Sequence, residues 1–447
     1  MNLTFVTTCY DDDNMKILES KDFEMSSERT TKQGLICLFP QVQYQEITGF
    51  GGALTDSTAY IYSLMPDNQK QEFLKKCFGK DEGKYNVVRI PLDSCDFSLE
   101  HYEADSDPLD KEFQKFSFDR VDKYIIPLLD DVEKMFGGKI DIMLSPWSPP
   151  AFMKSNEERN HGGKLKSEYQ EHWANYICRY IQEYTNRGYS VTKLTLQNEP
   201  MAKQTWDSCE YTKEEQRDFL KDYMWPALVK YNLEFIEIYI WDHNKEYVFE
   251  WADTIITPET DHMVKGIAFH WYSGDHFQQL AMVREKFPDK KLLLSEACIE
   301  FSKFDKGNFL VNAQKYAHDM IGNLNAGMNT FVDWNLLLDE QGGPNHVNNF
   351  CDAPFLFDTN EKELLQRNIF DYIWHFSHFI KENSVRIASS QFASELECVA
   401  FSDEKEIVII LLNRTQEDMP VTIKLDGFYC DILLPAMSIG TGVVHNM

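Results

Sequence analysis

Short apolar runs alternate with longer amphipathic stretches through the middle of the chain. Eight runs have strand character, near Glu46–Phe50, Asn86–Ile90, Ile140–Leu144, Lys193–Gln197, Phe235–Ile240, Gly266–His270, Lys291–Ser295 and Thr330–Trp334. The stretches between and after them are read as helices over Pro66–Phe78, Val121–Phe136, Ser167–Asn186, Thr212–Tyr231, Val248–Ile256, His276–Phe287, Val311–Leu324 and Glu363–Ile380. The last carries Leu364, Leu365, Ile369, Tyr372, Ile373, Phe376 and Phe379, a near-helical apolar spacing. Such alternation predicts parallel strands with right-handed helical crossovers. Closing them into a (β/α)8 barrel leaves no exposed edge, so the fold class expected is α/β, a TIM barrel.

The two ends of the chain have a different period. Beyond about Ser384, short alternating strands are separated by turns, as in Cys398–Phe401, Glu406–Leu412, Val421–Leu425 and Asp431–Leu434. Leu35–Phe39 near the start is similar strand material. The expected organisation is therefore N-terminal strands over 1–45 joining a β-sandwich, a barrel over 46–383, and the rest of the sandwich over 384–447. No Gly/Ser-rich or Pro-rich linker separates the parts, so they are expected to pack rigidly together.

Polar and aromatic residues gather where each predicted strand ends: Asp56, Arg89 with Asp96, Trp147, Asn198 with Glu199, Asp242 with His243, His270 with Tyr272, Glu296, and Trp334 with Asn335. In a barrel all strand C-termini open on one face, where active sites are built. Two of these residues are glutamates just past short apolar runs, in Leu194–Pro200 and Lys291–Ala297. A carboxyl at the exit of a buried strand does little for stability. Two that face each other across a pocket suit glycoside hydrolysis, one protonating the leaving oxygen and the other acting on the sugar.

Composition narrows the partners. A formal net charge of −28 argues against nucleic acid and anionic membrane surfaces. At 447 residues with 43% hydrophobic content, the chain has ample material for a large core. The ten cysteines are scattered without C-x-x-C spacing, which points to reduced, buried thiols rather than a zinc ribbon or redox motif. The N-terminus lacks a basic region followed by an apolar one, so the expected location is cytoplasmic. No apolar run is long enough to span a bilayer. Other chemistries find no motif. Gly49–Leu54 begins like a dinucleotide loop but has Leu54 where the last glycine belongs. Neither a Walker loop, an H-E-x-x-H nor a G-x-S-x-G is present, and Asp242-His243 lacks a matching ligand cluster. No metal or cofactor is expected.

Several ordered motifs carry a resemblance to a known family. They are Gly49–Asp56, Tyr85–Pro91, Ser94–Ser98, Ser145–Lys154, His270–Tyr272, Ser295–Cys298, Asp333–Leu336 and Gly342–Asn345 with Asn349. Over about Tyr44 to Asn413 the chain resembles glycoside hydrolase family 30, closest to its glucosylceramidase branch. The resemblance implies a (β/α)8 barrel with an attached β-sandwich. It also implies retaining hydrolysis of a β-glycosidic bond without metal or organic cofactor. By motif position Glu199 would be the acid/base and Glu296 the nucleophile. Asp96, Trp147, Asn198, Trp334 and Asn349 would hold the sugar, and Arg89, His270 and Tyr272 would surround the nucleophile. The chain departs from the animal lysosomal members in two places. The segment Met201–Tyr211 is shorter, and His346 stands where they carry a tryptophan. Both lie near the expected pocket rim, where the aglycone sits.

From these residues Glu296 is expected to be ionised beside Arg89, and Glu199 protonated, its pKa raised by the Glu296 charge. Asn198 is placed to hydrogen-bond a sugar 2-OH, and Cys298 to line the pocket without doing chemistry. The activity expected is a retaining exo-β-glucosidase acting on glucosylceramide-like or other hydrophobic β-glucosides. A related β-glycosidase, such as a β-xylosidase or endo-β-1,6-glucanase, is the alternative within the class. A non-catalytic carbohydrate-binding protein is the alternative outside it, and its signature would be loss of a glutamate; both are present.

Overall fold

The computed structural model describes the whole chain except residues 12, 30, 32–33, 305–306, 404 and 446–447, so the last two positions of the expected 384–447 span lie outside the described residues. Three strands come first: β1 (Asn2–Tyr10), β2 (Lys16–Glu24) and β3 (Gly34–Glu46). The barrel strands follow: β4 (Gly49–Ala53), β5 (Val87–Leu92), β6 (Asp141–Pro146), β7 (Ser190–Thr195), β8 (Glu237–Asn244), β9 (Gly266–His270), β10 (Lys291–Glu296) and β11 (Thr330–Asn335). Among the described residues these eight close in sequence order, β11 pairing back onto β4, and every pairing is parallel. Parallel strands buried on both faces read as unbroken apolar runs, which is why the sequence pattern locates them.

Glycine permits the closure at β4. A Cβ on Gly51 would lie 1.7 Å from the carbonyl oxygen of Val87 on the neighbouring strand, so only glycine fits there. Val87, Met143, Tyr239, Ala268, Leu293 and Val332, from six different strands, form a buried cluster of their own that fills the barrel.

The helices are α1 (Asp56–Leu64), α2 (Asp67–Phe78), α3 (Asp119–Phe136), α4 (Gln170–Asn186), α5 (Lys213–Phe219), α6 (Trp225–Tyr231), α7 (Val248–Ile255), α8 (Phe277–Lys286), α9 (Phe309–Asn325) and α10 (Asn368–Ser377). Two differ from the sequence pattern. The stretch expected as one helix over 212–231 starts at a Thr212/Glu215 capping box but is divided by a π turn at Leu220–Met224. The proline at 226 has no N–H to donate, and the wider turn ahead of it accommodates the loss. The helix expected from Glu363 begins only at Asn368. Glu363–Gln366 is strand β14, paired antiparallel with β13 (Phe355–Asp358), which itself pairs with β12 (Leu337–Asp339). An available strand edge overrides the local apolar spacing. Helix α1 was outside the pattern read from the sequence; Thr55 caps it by accepting from the Thr58 N–H.

The chain ends in β15 (Val385–Ser389), β16 (Leu396–Ser402), β17 (Glu406–Asn413), β18 (Met419–Leu425), β19 (Phe428–Leu434) and β20 (Ser438–His445). These join β1, β2 and β3 in one sheet of order β19-β18-β3-β15-β16-β17-β20-β1-β2. Its inner apolar residues make a separate core around Ile36, Ile409 and Leu411, while Val399, Phe401, Val408, Ile410 and Leu412 pack into the main core with the barrel helices. Buried polar bonds lock the two parts. Gln45 donates to the Leu324 and Met328 carbonyls, and the His375 ring lies between Thr441 Oγ1 at 2.7 Å and Thr8 Oγ1 at 2.9 Å. Among the described residues no helix is long and apolar enough to cross a membrane.

Candidate active site

The C-terminal ends of the barrel strands surround a cavity of about 400 Å³. Asp96, Trp147, Asn198, Glu199, Tyr272, Glu296, Trp334 and Asn349 of the sequence-derived set line it. Arg89 and His270 lie beneath, fully buried.

Arg89 organises the floor. From the middle of β5 its Nη1 donates to Glu296 Oε2 at 2.6 Å, and its Nη2 donates to Asn198 Oδ1 at 2.8 Å and to Asp242 Oδ2 at 3.0 Å. Its Nε donates to Ser145 Oγ at 3.0 Å. The guanidinium also lies 4.7 Å from the Trp147 ring and 5.3 Å from the Trp334 ring, and the two indoles stack with centroids 5.2 Å apart. A buried guanidinium needs this number of acceptors, and burial, which opposes its charge, is outweighed by Asp242 and Glu296.

Glu296 ends β10, where the pairing with β9 shifts register between Leu294 and Glu296. Its second oxygen accepts from the Tyr272 hydroxyl at 2.9 Å. The Tyr272 backbone is in turn held by Asn244 Oδ1 at 3.0 Å. Glu199 follows β7 in the left-handed region, φ 46°. Its Oε1 faces two imidazoles, His270 Nδ1 at 3.3 Å and His243 Nδ1 at 3.4 Å. His270 thus hydrogen-bonds Glu199 while also standing beside the nucleophile, whose charge acts on it. Its Nε2 points to Asp242 Oδ1 at 3.1 Å, and Ser295 Oγ donates to the same oxygen at 2.5 Å.

The direction of the Glu199 shift differs from expectation. Burial raises Glu199, but the charges and hydrogen bonds of His243 and His270 outweigh it and hold the carboxyl well below the ordinary range. Burial raises Glu296, the Glu199 charge adds to this, and His270 and Arg89 oppose it. The Glu199 direction arises because two histidines stand beside it, out of reach of any sequence spacing. His270 itself is lifted to about 9: burial would lower it, and the Glu296 charge with the Asp242 and Glu199 hydrogen bonds prevails. Asp242, which burial alone would raise, is held below the usual carboxylate range by Arg89 and His270.

Asp96 accepts from Asn349 Nδ2 at 3.2 Å, and burial with the Glu296 charge raises its pKa. Cys298 lines the cavity, as expected, with its Sγ 3.3 Å from that of Cys351. Asp56, in contrast, faces away: Arg120 on α3 donates to both its oxygens, at 3.0 and 2.7 Å. The partners that sequence reading passes over are Asp242, His243 and Ser295. Asp242-His243 was visible as a polar strand end, and that was the available signal. Gln204 and Trp206 from the segment 201–211, with Val347 and Asn348, also line the cavity.

Sequence models for the glycosyl hydrolase family 30 TIM-barrel domain and the family 30 β-sandwich domain match residues 47–380 and 383–442. The chain belongs to glycosyl hydrolase family 30. Within the family it is 33% identical to a lysosomal acid glucosylceramidase of Mus musculus, over 93% of this chain and 84% of that one. It is 34% identical to SrfJ from Salmonella typhimurium, whose crystal structure superposes with a TM-score of 0.96 over the whole of both chains. An endo-1,6-β-D-glucanase of Neurospora crassa is 23% identical over 86% of this chain and 82% of its own length. The family 30 barrel thus carries glycoside hydrolase chemistry, and its β-sandwich includes the chain's first strands.

Proposed function

We propose that the protein is a retaining exo-β-glucosidase that cleaves terminal β-glucosyl linkages of glucosylceramide-like or other hydrophobic glucosides. The observation that carries the proposal is the division of labour between the two cavity glutamates. Glu296 is pinned by a guanidinium and a phenol, as an attacking carboxylate must be. Glu199 is bound to the His270 imidazole, which can hand it a proton.

In the first step one Glu296 oxygen attacks the anomeric carbon while the glycosidic oxygen takes a proton from Glu199. The C–O bond breaks, the aglycone leaves as an alcohol, and a glycosyl ester forms on Glu296. Arg89 Nη1 and Tyr272 O–H both donate to Glu296, an arrangement only the anion satisfies fully. Glu199 draws its proton from the hydrogen-bonded unit it forms with His270, so the acid is the pair rather than the carboxyl alone. Esterification removes the Glu296 charge. Glu199 then accepts a proton from water, which attacks the anomeric carbon and releases the sugar and the Glu296 carboxylate. Asn198 Oδ1 is taken by Arg89, which leaves its N–H groups to meet the sugar 2-OH. The stacked Trp147 and Trp334 offer apolar faces, and Asp96 with Asn349 offers polar contacts to other hydroxyls.

The likeness to a glucosylceramidase supports a glucosyl substrate with a lipid aglycone. The likeness to an endo-1,6-glucanase supports the second reading, a β-1,6-glucan substrate on the same machinery. Labelling with a glucose-configured mechanism-based inactivator, followed by intact mass and peptide mapping, tests the proposal. A single adduct on Glu296 is expected. Labelling only by a xylose-configured probe would overturn the sugar assignment, and an adduct elsewhere in the cavity would overturn the nucleophile.

A further inference from the structure

A second cluster of side chains stands on loops that wall the cavity, apart from the glutamates. His101, Asp207 and His346 bring one ligand atom each within 4.8 Å of one another. They come from three different loops: His101 after β5, Asp207 after β7, and His346 between β12 and β13. The same loops supply Asp96, Trp206 and Asn349 to the cavity wall. His101 Nδ1 lies 3.1 Å from Asp207 Oδ2, and the His101 and His346 rings meet edge to face with centroids 4.4 Å apart.

The hydrogen bonds of His346 determine what it can do. Its Nδ1 lies 2.8 Å from the Ser98 carbonyl oxygen, which can only accept, so Nδ1 carries the proton. Nε2 is then a bare lone pair. It is buried and has no hydrogen-bond partner among the described residues. An orphaned buried acceptor costs about 1–3 kcal/mol. An imidazole with one nitrogen on a backbone carbonyl and the other bare has the arrangement of a metal ligand.

Asp207 is prepared in a similar way. Its Oδ1 accepts from Arg159 Nε at 2.6 Å and Ser94 Oγ at 3.1 Å, which turns Oδ2 toward the histidines. Arg159 is shared with Glu103 at 3.1 Å and Asp93 at 3.9 Å, so one guanidinium faces three carboxylates.

We propose that His101 Nδ1, Asp207 Oδ2 and His346 Nε2 bind a zinc ion on the loops that wall the cavity, with a fourth position open to water. Two imidazoles and one carboxylate are a donor set for zinc, whereas magnesium and calcium take oxygen ligands. Tetrahedral zinc with bonds of about 2.0–2.1 Å keeps its ligand atoms roughly 3.4 Å apart. The His101 Nδ1–Asp207 Oδ2 separation of 3.1 Å is close to that spacing, and the ligand atoms of the three residues already lie within 4.8 Å of one another. The ion ties together three loops that wall the cavity. It takes no part in bond cleavage.

The test uses untagged full-length protein, stripped with a chelator, equilibrated with one equivalent of Zn²⁺ and desalted. Metal analysis is expected to find one zinc per chain in the wild type. His346→Ala and His101→Ala should each retain less than a tenth of that, with their folds checked by circular dichroism. His101 is partly exposed, so its removal opens no core if the His346 variant proves unstable. Cobalt substitution should give tetrahedral ligand-field bands in the wild type that both variants lose. No zinc retained by the wild type, or equal retention in wild type and both variants, would overturn the proposal.

Discussion

Glu199 and Asp242 are joined twice, once through the backbone and once through an imidazole. The Glu199 N–H donates to the Asp242 carbonyl at 2.9 Å, and His270 stands between the two carboxylates, 3.3 Å from one and 3.1 Å from the other. Both residues have left-handed backbones, φ 46° and 65°, and Trp241 beside them has φ 73°. Non-glycine residues keep such conformations only where the surroundings enforce them, at about 1–3 kcal/mol each. The β8–β9 pairing shifts register between Trp241 and His243 at the same point. Bulges of this kind re-aim side chains, and this one presents Asp242 to the floor and His243 to Glu199. The strained turn thus assembles the proton-carrying side of the cavity.

The proton inventory sets an alkaline limit on activity. His270 holds its proton below about 9 and loses it as pH rises through that value. The Glu199–His270 unit then has no proton to give, so kcat/KM on a substrate with a poor leaving group should fall above about pH 9. His270→Asn should move that limb, and an unchanged profile would sink the paired-acid assignment. The same raised pKa stabilises the folded state below about pH 6.5, the unfolded value, and this stabilisation disappears as pH rises through about 9.

Glu199→Gln should spare the first step for an activated aryl glucoside and slow poor leaving groups by about 10²–10⁴-fold. Added azide should then accelerate turnover of the activated substrate by attacking the glycosyl ester without base assistance. Absence of azide rescue would count against Glu199 as the acid/base.

Tyr272→Phe removes one of the two donors to Glu296 and leaves Arg89 in place. A hydrogen bond to a charged group contributes about 1.5–3 kcal/mol. A fall of roughly 10- to 100-fold in kcat/KM is expected if most of this is expressed in the transition state. Steady-state kinetics on an aryl glucoside will measure it, and an unaltered kcat/KM would mean that Glu296 is oriented by Arg89 alone.

Acid stability should depend on a residue remote from the cavity. His375, buried between Thr8 and Thr441 where sheet and barrel meet, is lowered to about 3 by burial and the nearby Lys16 charge. The folded state refuses a proton that the unfolded chain takes up below about pH 6.5. This stabilisation is intact above that pH and is lost on acidification toward about 3, at up to about 1.4 kcal/mol per pH unit. Urea denaturation of wild type and His375→Gln between pH 7 and 4 should show a shallower decline in the variant.

Much of the barrel was legible because hydrophobic burial has a local period. The run Gly266–His270 coincides with β9 from end to end, and the other seven predicted runs overlap their strands. The exposed strand Lys16–Glu24 left no such trace, since its charged residues lie at the sheet edge and bury little. Glu363–Gln366 misled for a related reason: its partner strand precedes it by only a few residues, yet no side-chain pattern records that pairing.

The sequence by itself determined the eightfold alternation, the sandwich at the chain ends, and two glutamates at the exits of β7 and β10. These follow from residue type and spacing along the chain. Only the tertiary structure decided that His270 meets Glu199, that Asp242 anchors both His270 and Arg89, and that His346, with a bare buried nitrogen, joins His101 and Asp207 in one cluster. Electrostatic and hydrogen-bond partnerships depend on distances of a few ångströms between residues dozens to hundreds of positions apart. Register shifts and loop paths set those distances, and neither leaves a period in the sequence.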